Sequence, residues 1–586
     1  MPRPTRSCLP GETRREQPDI SVTGVGMTSP GSSSVGPVAA QGVRLVDLVA
    51  ALPGPRLLGR APDGVTVTGA VLDSRAAGPG DLYAALPGAR THGADHAGGA
   101  VAAGAVAVLT DPGGAHRLGP GVDGVPVLVV PEPRAVLGDL AARVHGTGVH
   151  RRGPGPVLLG VTGTNGKTTT AYLLEGALAA TGRTTALVGT VETRVAGEVV
   201  ASVRTTPEAT DLHALLARMA RAGVDAAALE VSSHALVLHR VDGLVLDVAG
   251  FTNLSQDHLD FHAGMEDYFA AKASLFTPAR ARRGVVVVDD AWGRRLAATA
   301  TVPVVTVSTR LDVDADWHAV AGEAGPDGTD VDLRARDGRT FSTRAPLPGA
   351  FNVANTALAA VMLLEAGAGL AGRGLGDLDE DDVSRGLAAA GQVPGRLQLV
   401  PGPAGAPRVL VDYAHTPDAV AAALETLRPS TSGRLVVVLG AGGDRDRGKR
   451  GPMGAAAAAC ADVVVVTDDN PRSEEPAAVR AAVLAGAVGV PGASGAPGPG
   501  PEGPPRVQEV GDRARAIRVA LAAAGPDGTV LVAGKGHERG QEVAGVVHPF
   551  DDRDEVRAAL VELGGPAGST DEDPGKDPGD DTDGDT

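Results

Sequence analysis

Residues 160–170 read GVTGTNGKTTT, the residue types of a phosphate-binding loop. Glycines let backbone N–H groups close on an anion, a lysine neutralises phosphate charge, and a neighbouring threonine offers its hydroxyl to a divalent cation. The spacing departs from the common pattern G-x-x-x-x-G-K-[ST]. Counted back from Gly166, Lys167 and Thr168, the first glycine belongs where Val161 stands; the glycines present are Gly160, Gly163 and Gly166. Three readings compete: a damaged nucleotide site, a glycine-rich turn with a surface lysine, or the loop of a different ATP-using family. An apolar run (PVLLGVTG) precedes the loop and a helical run (TTTAYLLEGALAATG) follows, which is the setting a working loop requires.

Further polar residues follow apolar runs. Glu230 in LEVSSHALVLHR and His258 in FTNLSQDHLDFH fall at expected strand ends, where a carboxylate and an imidazole suit Mg²⁺. Taken alone, each is more often a capping or packing residue. Lys272 sits in the amphipathic stretch DYFAAKASLF, as a snorkelling lysine or as a lysine carbamate formed with CO₂. The loop AGGDRDRGKRGPMG carries Arg445, Arg447, Lys449 and Arg450, suited to phosphate or carboxylate or simply solvated. DDNPRSEEP contains the turn signal Asn470-Pro471, and VAGKGHE is a third polar loop after an apolar run. Three such loops in one region point to a shared ligand crevice.

The elements that must position these residues alternate strand and helix, which predicts doubly wound parallel sheets. A chain of 586 residues exceeds one ordinary domain. The expected division is a polar, disordered extension over 1–40, a small α/β domain over 41–151, a central ATP-binding domain over 152–346, a Rossmann-like domain over 347–565 and a disordered acidic tail over 566–586. Met27 is an alternative start, and GASGAPGPGPEGPP reads as a flexible insertion. Hydrophobic residues make up 43% and aromatics only 2%, so the cores must be built from Ala, Val and Leu. Net charge is −17; the segment 571–586, with eight acids and one lysine, carries −7 of it. The remaining −10 argues against a nucleic-acid surface, so anionic ligands must be held by local groups. No apolar run has the length of a membrane span, and no secretory signal precedes residue 40. Two cysteines, Cys8 and Cys460, offer no disulfide framework and fit a reducing cytoplasm.

Taken together, LDSR (72–75), RTTPEATD (204–211), EVSSHAL, NLSQDHLDFH, AAKASLF, GAFNVAN, GR (395–396), DYAHTPD (412–418), GGDRDRGKR, DNPR and GKGHE resemble, in order, the Mur ligases of bacterial cell-wall synthesis. The loop itself resembles that family's variant, T-G-T-N-G-K-T, shared with folylpolyglutamate synthetase. The match runs from about residue 43 to 563, and DNPR resembles the mark of members that add meso-diaminopimelate. The resemblance implies a three-domain ligase joining meso-diaminopimelate to UDP-N-acetylmuramoyl-L-alanyl-D-glutamate, with Mg²⁺ as cofactor, ATP as co-substrate and a monomeric cytoplasmic chain without nucleic-acid or membrane partners.

It implies ATP contacts at Gly163, Thr164, Asn165, Gly166, Lys167, Thr168, Thr169, Asn352, Asn355, Arg396, Asp412 and His415. The muramoyl dipeptide falls to Leu72, Ser74, Thr205, Thr206, Ser232 and Arg240, with Leu238 where the family usually has glutamine. Diaminopimelate falls to Arg445, Asp469, Asn470, Pro471, Arg472, Gly534 and Glu538. Thr168, Glu230, His258 and Lys272 match metal-associated positions; Lys272 matches a carbamylated lysine. Lys167, Lys272, His258 and Glu230 are the implied catalytic set. The competing readings are a lysine-adding sibling, a folylpolyglutamate synthetase-like ligase and a nucleotide-gated binding protein on the same fold.

Overall fold

The computed structural model describes residues 42–88, 91–151, 155–201, 204–259, 261–325, 328–490 and 506–564. The extension 1–40, the insertion 492–505 and the tail from 566 lie outside those residues.

Three larger sheets organise the described chain. The first has five strands in the order Arg56–Gly59, Pro126–Val129, Ala107–Thr110, Asp81–Ala85 and Gly69–Val71. Its first strand pairs antiparallel and the others parallel. The second sheet has eleven strands. Its earliest strand, Val157–Thr162, lies between Ala226–Glu230 and Val248–Phe251, parallel to both. Thr185–Val188 continues the sheet on one side, and Gly284–Val287 then Val304–Ser308 continue it on the other. Chain order therefore reverses at Val157–Thr162, and open α/β sheets bind ligands beyond the carboxyl ends of strands at such a switch point. Antiparallel strands close both edges.

The third sheet runs Gln398–Val400, Arg408–Asp412, Thr529–Ala533, Leu435–Leu439, Val463–Val466, Arg506–Glu509. All but its first strand are parallel. LVVVL, VVVV and TVLVA are buried at every position, because helices cover both faces of a parallel sheet. The expected doubly wound centre and Rossmann-like third sheet are both present.

One expectation requires correction. Residues 350–389, assigned from sequence to the third domain, pack with the central one. Val353, Leu358, Val361 and Leu370 of helix Ala350–Ala371, and Val383 and Leu387 of helix Glu380–Ala389, share one core with Val157, Leu159, Leu173 and Leu178. Asn352 and Asn355 therefore approach the nucleotide loop from the central domain. The motif GAFNVAN marks the start of a helix, but only packing shows which sheet that helix covers. Among the described residues Ala350–Ala371 is the one helix long and apolar enough to cross a membrane, and 72% of its apolar stretch is buried within the protein.

Beneath the third sheet's carboxyl edge lies a fully buried ion pair. Arg513 donates from Nε to Asp552 Oδ1 at 2.7 Å and from Nη2 to Oδ2 at 2.8 Å, and Nη2 also reaches Ala533 O at 2.9 Å. Asp552→Ala strands a buried guanidinium, which costs about 3–5 kcal/mol. Urea denaturation should show that loss, and Arg513→Met with Asp552→Leu should recover much of it; an unchanged midpoint in Asp552→Ala would contradict the role.

Candidate active site

The glycine loop joins strand Val157–Thr162 to helix Lys167–Ala180. Gly163 (φ 145°) and Gly166 (φ 88°) hold left-handed conformations that a side chain disfavours. A Cβ on Gly163 would stand 1.8 Å from Thr252 Oγ1, and one on Gly166 would stand 2.3 Å from Asn355 Oδ1. Gly160 is different: it lies within the strand, where a Cβ would meet Leu246. The irregular glycine spacing thus separates one packing glycine from two loop glycines. The segment after Phe251 braces the loop: Asn253 O accepts from Thr164 N at 2.9 Å, Asn253 Oδ1 accepts from Asn165 N at 3.1 Å, and Thr252 Oγ1 donates to Asn165 O at 2.6 Å.

Two lysines converge on one loop carbonyl. Gly163 O accepts from Lys167 Nζ at 2.9 Å and from Lys272 Nζ at 2.7 Å. Lys167 also donates to Thr164 O at 2.8 Å. Lys272 is 1% exposed, and its ammonium lies 4.6 Å from the centre of the Tyr268 ring. Burial, then the charge of Lys167, hold Lys272 well below the usual lysine range. Burial also lowers Lys167, against the pull of Glu230 and Asp257.

Glu230 is buried at the end of its strand and forms no ion pair among the described residues. Oε2 accepts from Thr168 Oγ1 at 3.0 Å and Thr190 Oγ1 at 2.9 Å, and Oε1 accepts from Thr190 N at 2.7 Å. Arg396, across from the central sheet, donates from Nη2 to Thr168 Oγ1 at 2.9 Å. Asp412 fixes that arginine's turn, accepting from Leu397 N at 2.6 Å and Ala414 N at 2.7 Å. Burial raises the Asp412 pKa, and Arg396 opposes the rise. Tyr413 lies under the Arg396 guanidinium, 4.5 Å from ring centre to Cζ. His415 bonds Tyr413 O through Nδ1, and burial lowers its pKa. His258 (φ 55°) is likewise held below its ordinary value by burial, with Lys167 adding to the effect and Asp257 opposing it. It makes no hydrogen bond to Glu230 or Thr168.

A cavity of about 1180 Å³ collects most of the sequence candidates. Thr164–Thr169, Thr205, Thr206, Glu230, Ser232, Arg240, His258, Lys272, Asn352, Asn355, Arg396, Asp412 and His415 line it. So do Arg445, Asp469, Asn470, Arg472, Gly534 and Glu538. Leu72, Ser74, Gly163, Pro471 and Leu238 are not part of that lining. Leu72 packs on the core of the first domain and Ser74 opens a short 3-10 turn there. Pro471 contributes its backbone, packed against Gly443.

Side chains missed from sequence hold the named ones. Glu208, 5% exposed, pairs with Arg240 Nε at 2.9 Å and Arg134 Nη1 at 2.9 Å, tying the first domain's last helix to the cavity residue Arg240. Thr206 Oγ1 donates to Glu230 O at 2.8 Å and accepts from Ser232 N at 3.1 Å. Lys535, fully buried, donates to Asn470 Oδ1 at 3.0 Å and Glu538 Oε2 at 3.1 Å, and stands 3.6 Å from Asp469 Oδ1. Asn470 Nδ2 completes this group at Glu538 Oε2, 2.8 Å away. Asp469 Oδ1 is buried and has no hydrogen-bond partner. A lysine between two strand-end glycines was the available signal for Lys535; Glu208 gave none beyond its place in RTTPEATD.

Such an arrangement can hold a nucleoside triphosphate at one end and a zwitterion at the other, with two lysines and a buried carboxylate between. Three family models match in chain order: the Mur ligase family catalytic domain over residues 66–145, the Mur ligase middle domain over 161–363 and the Mur ligase glutamate ligase domain over 395–536. UDP-N-acetylmuramoyl-L-alanyl-D-glutamate--2,6-diaminopimelate ligase of Streptomyces coelicolor is 53% identical, covering 86% of this chain and 95% of its own. UDP-N-acetylmuramyl-tripeptide synthetase of Leifsonia xyli is 48% identical, covering 92% of this chain and 100% of its own. A solved UDP-N-acetylmuramoyl-L-alanyl-D-glutamate--2,6-diaminopimelate ligase superposes with a TM-score of 0.57 at 31% identity, covering 86% of this chain and 96% of that one. With its loop variant, its three sheets and its full-length relatives in agreement, the chain belongs to the Mur ligase family.

Proposed function

We propose that the chain uses ATP to join meso-diaminopimelate to UDP-N-acetylmuramoyl-L-alanyl-D-glutamate. The observation that carries this reading is the single cavity into which the phosphate loop, the Thr205–Thr206 segment and the DNPR and GKGHE loops all open. The names of the relatives at about half identity support the same acceptor.

A carboxylate is a poor acyl donor because it has no leaving group. The reading has the γ-phosphoryl group pass from ATP to the D-Glu side-chain carboxylate, releasing ADP and leaving an acyl phosphate. The diaminopimelate amine then attacks the acyl carbon, phosphate departs from the tetrahedral intermediate and the amine proton is lost to solvent. Lys167 and the loop N–H groups neutralise developing phosphoryl charge, which is most of what such a transfer demands. Arg396 adds a cation from the opposite side. Water would hydrolyse the acyl phosphate, so closure of the third domain over the loop serves to exclude it.

A buried carboxylate without a counter-ion beside a loop threonine is an oxygen set suited to a hard cation. Thr168 and Glu230, with neutral His258 nearby, would hold Mg²⁺, which supplies further neutralisation of phosphate charge. Lys272 fits carbamylation on the same grounds: a buried amine sharing a carbonyl with a second lysine is driven towards the neutral, nucleophilic form that CO₂ requires. At the far end, Asp469, whose Oδ1 accepts no hydrogen bond, and Glu538 suit the distal ammonium of diaminopimelate, and Arg472 suits its distal carboxylate.

Phosphate release from ATP with the UDP-muramoyl dipeptide, measured with each amine in turn, tests the reading. Turnover should require meso-diaminopimelate, and equal turnover with L-lysine would return the lysine-adding sibling to first place. Arg472→Ala should raise the KM for diaminopimelate by roughly 30-fold or more, the equivalent of about 2 kcal/mol, and leave those for ATP and the dipeptide almost unmoved. The carbamate has its own test. Lys272→Ala should be nearly inactive and partly restored by short carboxylates; rescue by small amines instead would show that an ammonium is needed.

A further inference from the structure

The turn carrying Arg472 is held by a hairpin that the reaction scheme does not use. Strands Gly540–Val543 and Val546–Pro549 form it, and Val543 bridges to Arg472. Arg472 N donates to Glu542 O at 3.0 Å, Ala544 N donates to Arg472 O at 2.6 Å and Glu542 N donates to Asn470 Oδ1 at 3.0 Å. Gln541 Nε2 donates to Asp469 O at 2.9 Å. These bonds fix where the Glu542 side chain starts, and its carboxylate reaches Arg472 Nε at 3.4 Å.

The rest of the guanidinium has a defined assignment. Nη1 donates to Gly443 O at 2.7 Å, while Nη2 has no partner among the described residues. A Cβ on Gly442 would lie 2.9 Å from Nη1, so the glycine pair before Asp444 is what lets the arginine lie down on this backbone. A carboxylate binds guanidinium in a planar fork across two adjacent nitrogens. With Nη1 turned to Gly443, the open fork is the Nε–Nη2 edge, and Glu542 already stands on its Nε half. The Glu542 side chain is 39% exposed and the contact is long, so it is displaceable.

Resting on the diaminopimelate reading above, we propose that Glu542 is a built-in stand-in for the acceptor's distal carboxylate: it competes for Arg472 and so sets the enzyme's discrimination between meso-diaminopimelate and lysine. Diaminopimelate must displace Glu542 to gain the full fork. Lysine has no carboxylate at that end, and with Glu542 in place Arg472 stays paired when lysine binds. The penalty that an unpaired arginine would impose on lysine is thereby reduced.

Glu542→Gln keeps the backbone bonds and removes the charge. Steady-state kinetics at saturating ATP and UDP-muramoyl dipeptide should show the KM for meso-diaminopimelate falling about 2- to 5-fold, the range of a half-exposed ion pair, with kcat changing less than that. The KM for L-lysine should rise, and the preference for diaminopimelate should widen about 5-fold or more. Combined with Arg472→Ala, the Glu542 change should have no further effect on either acceptor. A higher KM for diaminopimelate in Glu542→Gln would make Glu542 an orienting group and overturn the proposal. An unchanged preference would overturn it too, as would a fall in kcat with every acceptor or an equal effect in the Arg472→Ala background. Failure of the underlying reading looks different: the unaltered enzyme would then show no preference for diaminopimelate at all.

Discussion

The hydroxyl of Thr168 is where two sheets meet. It donates to Glu230 at the end of a central strand and accepts from Arg396, which precedes the third sheet. One oxygen can do both only if the carboxylate meets its proton and the guanidinium meets one of its lone pairs, which point in different directions. That requirement fixes how near the third sheet stands to the nucleotide loop. It also explains the support around Arg396: Asp412 clamps the backbone on either side of its strand end, and Tyr413 offers a ring face to the cation. The threonine of the glycine loop is thus the contact through which the loop and the third sheet are linked.

Around that contact and across the third sheet's carboxyl edge the chain buries several charged groups. Lys272, Glu230, Lys535 and the pair Arg513–Asp552 are buried, and Lys167 and Asp412 are partly buried. A buried charge is costly unless partnered, and the partners here are unequal. Arg513 and Asp552 satisfy one another in a planar fork, which suits a purely structural task. Lys272 has one carbonyl and a ring face, and Asp469 Oδ1 has no hydrogen bond at all. The incompletely partnered groups are those lining the cavity. Those groups leave unfilled partners inside the cavity, and the net charge of −17 is then no obstacle to an anion held there by local groups. What an anion meets is the loop's amides and a few placed cations, not the mean field of the surface.

The architecture was legible because each motif follows a run of buried residues. PVLLGVTG, RVLVDYA, RLVVVLG, DVVVVT and GTVLVAG announce parallel strands, and polar residues just past them belong at the carboxyl edge. The loop chemistry and the DNPR and GKGHE residues could be placed for that reason, whereas Arg396, which precedes a strand, was implied only by the family resemblance. What could not be read was which surface an amphipathic or apolar helix covers. Helix Ala350–Ala371 is apolar nearly all round, so its pattern names no face and no sheet, and the domain boundary drawn before it came out some forty residues early. Leu72 and Ser74 illustrate the same limit. Their motif marks them, but whether the first domain presents them to the main cavity depends on geometry between domains that no local pattern encodes.

Residues that hold other residues were the least legible. Glu208, Lys535 and Glu542 act through contacts to positions 32, 65 and 70 residues away, at Arg240, Asn470 and Arg472. In sequence each is one more charge in a chain in which 21% of residues are charged. Their meaning comes from the order in which parallel strands are laid side by side. The strand Thr529–Ala533 inserts between Arg408–Asp412 and Leu435–Leu439, bringing GKGHE and its following hairpin over loops encoded about seventy residues earlier. That insertion has a chemical consequence. This end of the cavity is built from two strand ends and a hairpin, so cations and carboxylates from separate segments neutralise each other across it. Selectivity in such a site depends less on which charged residues it contains than on which of them are already paired.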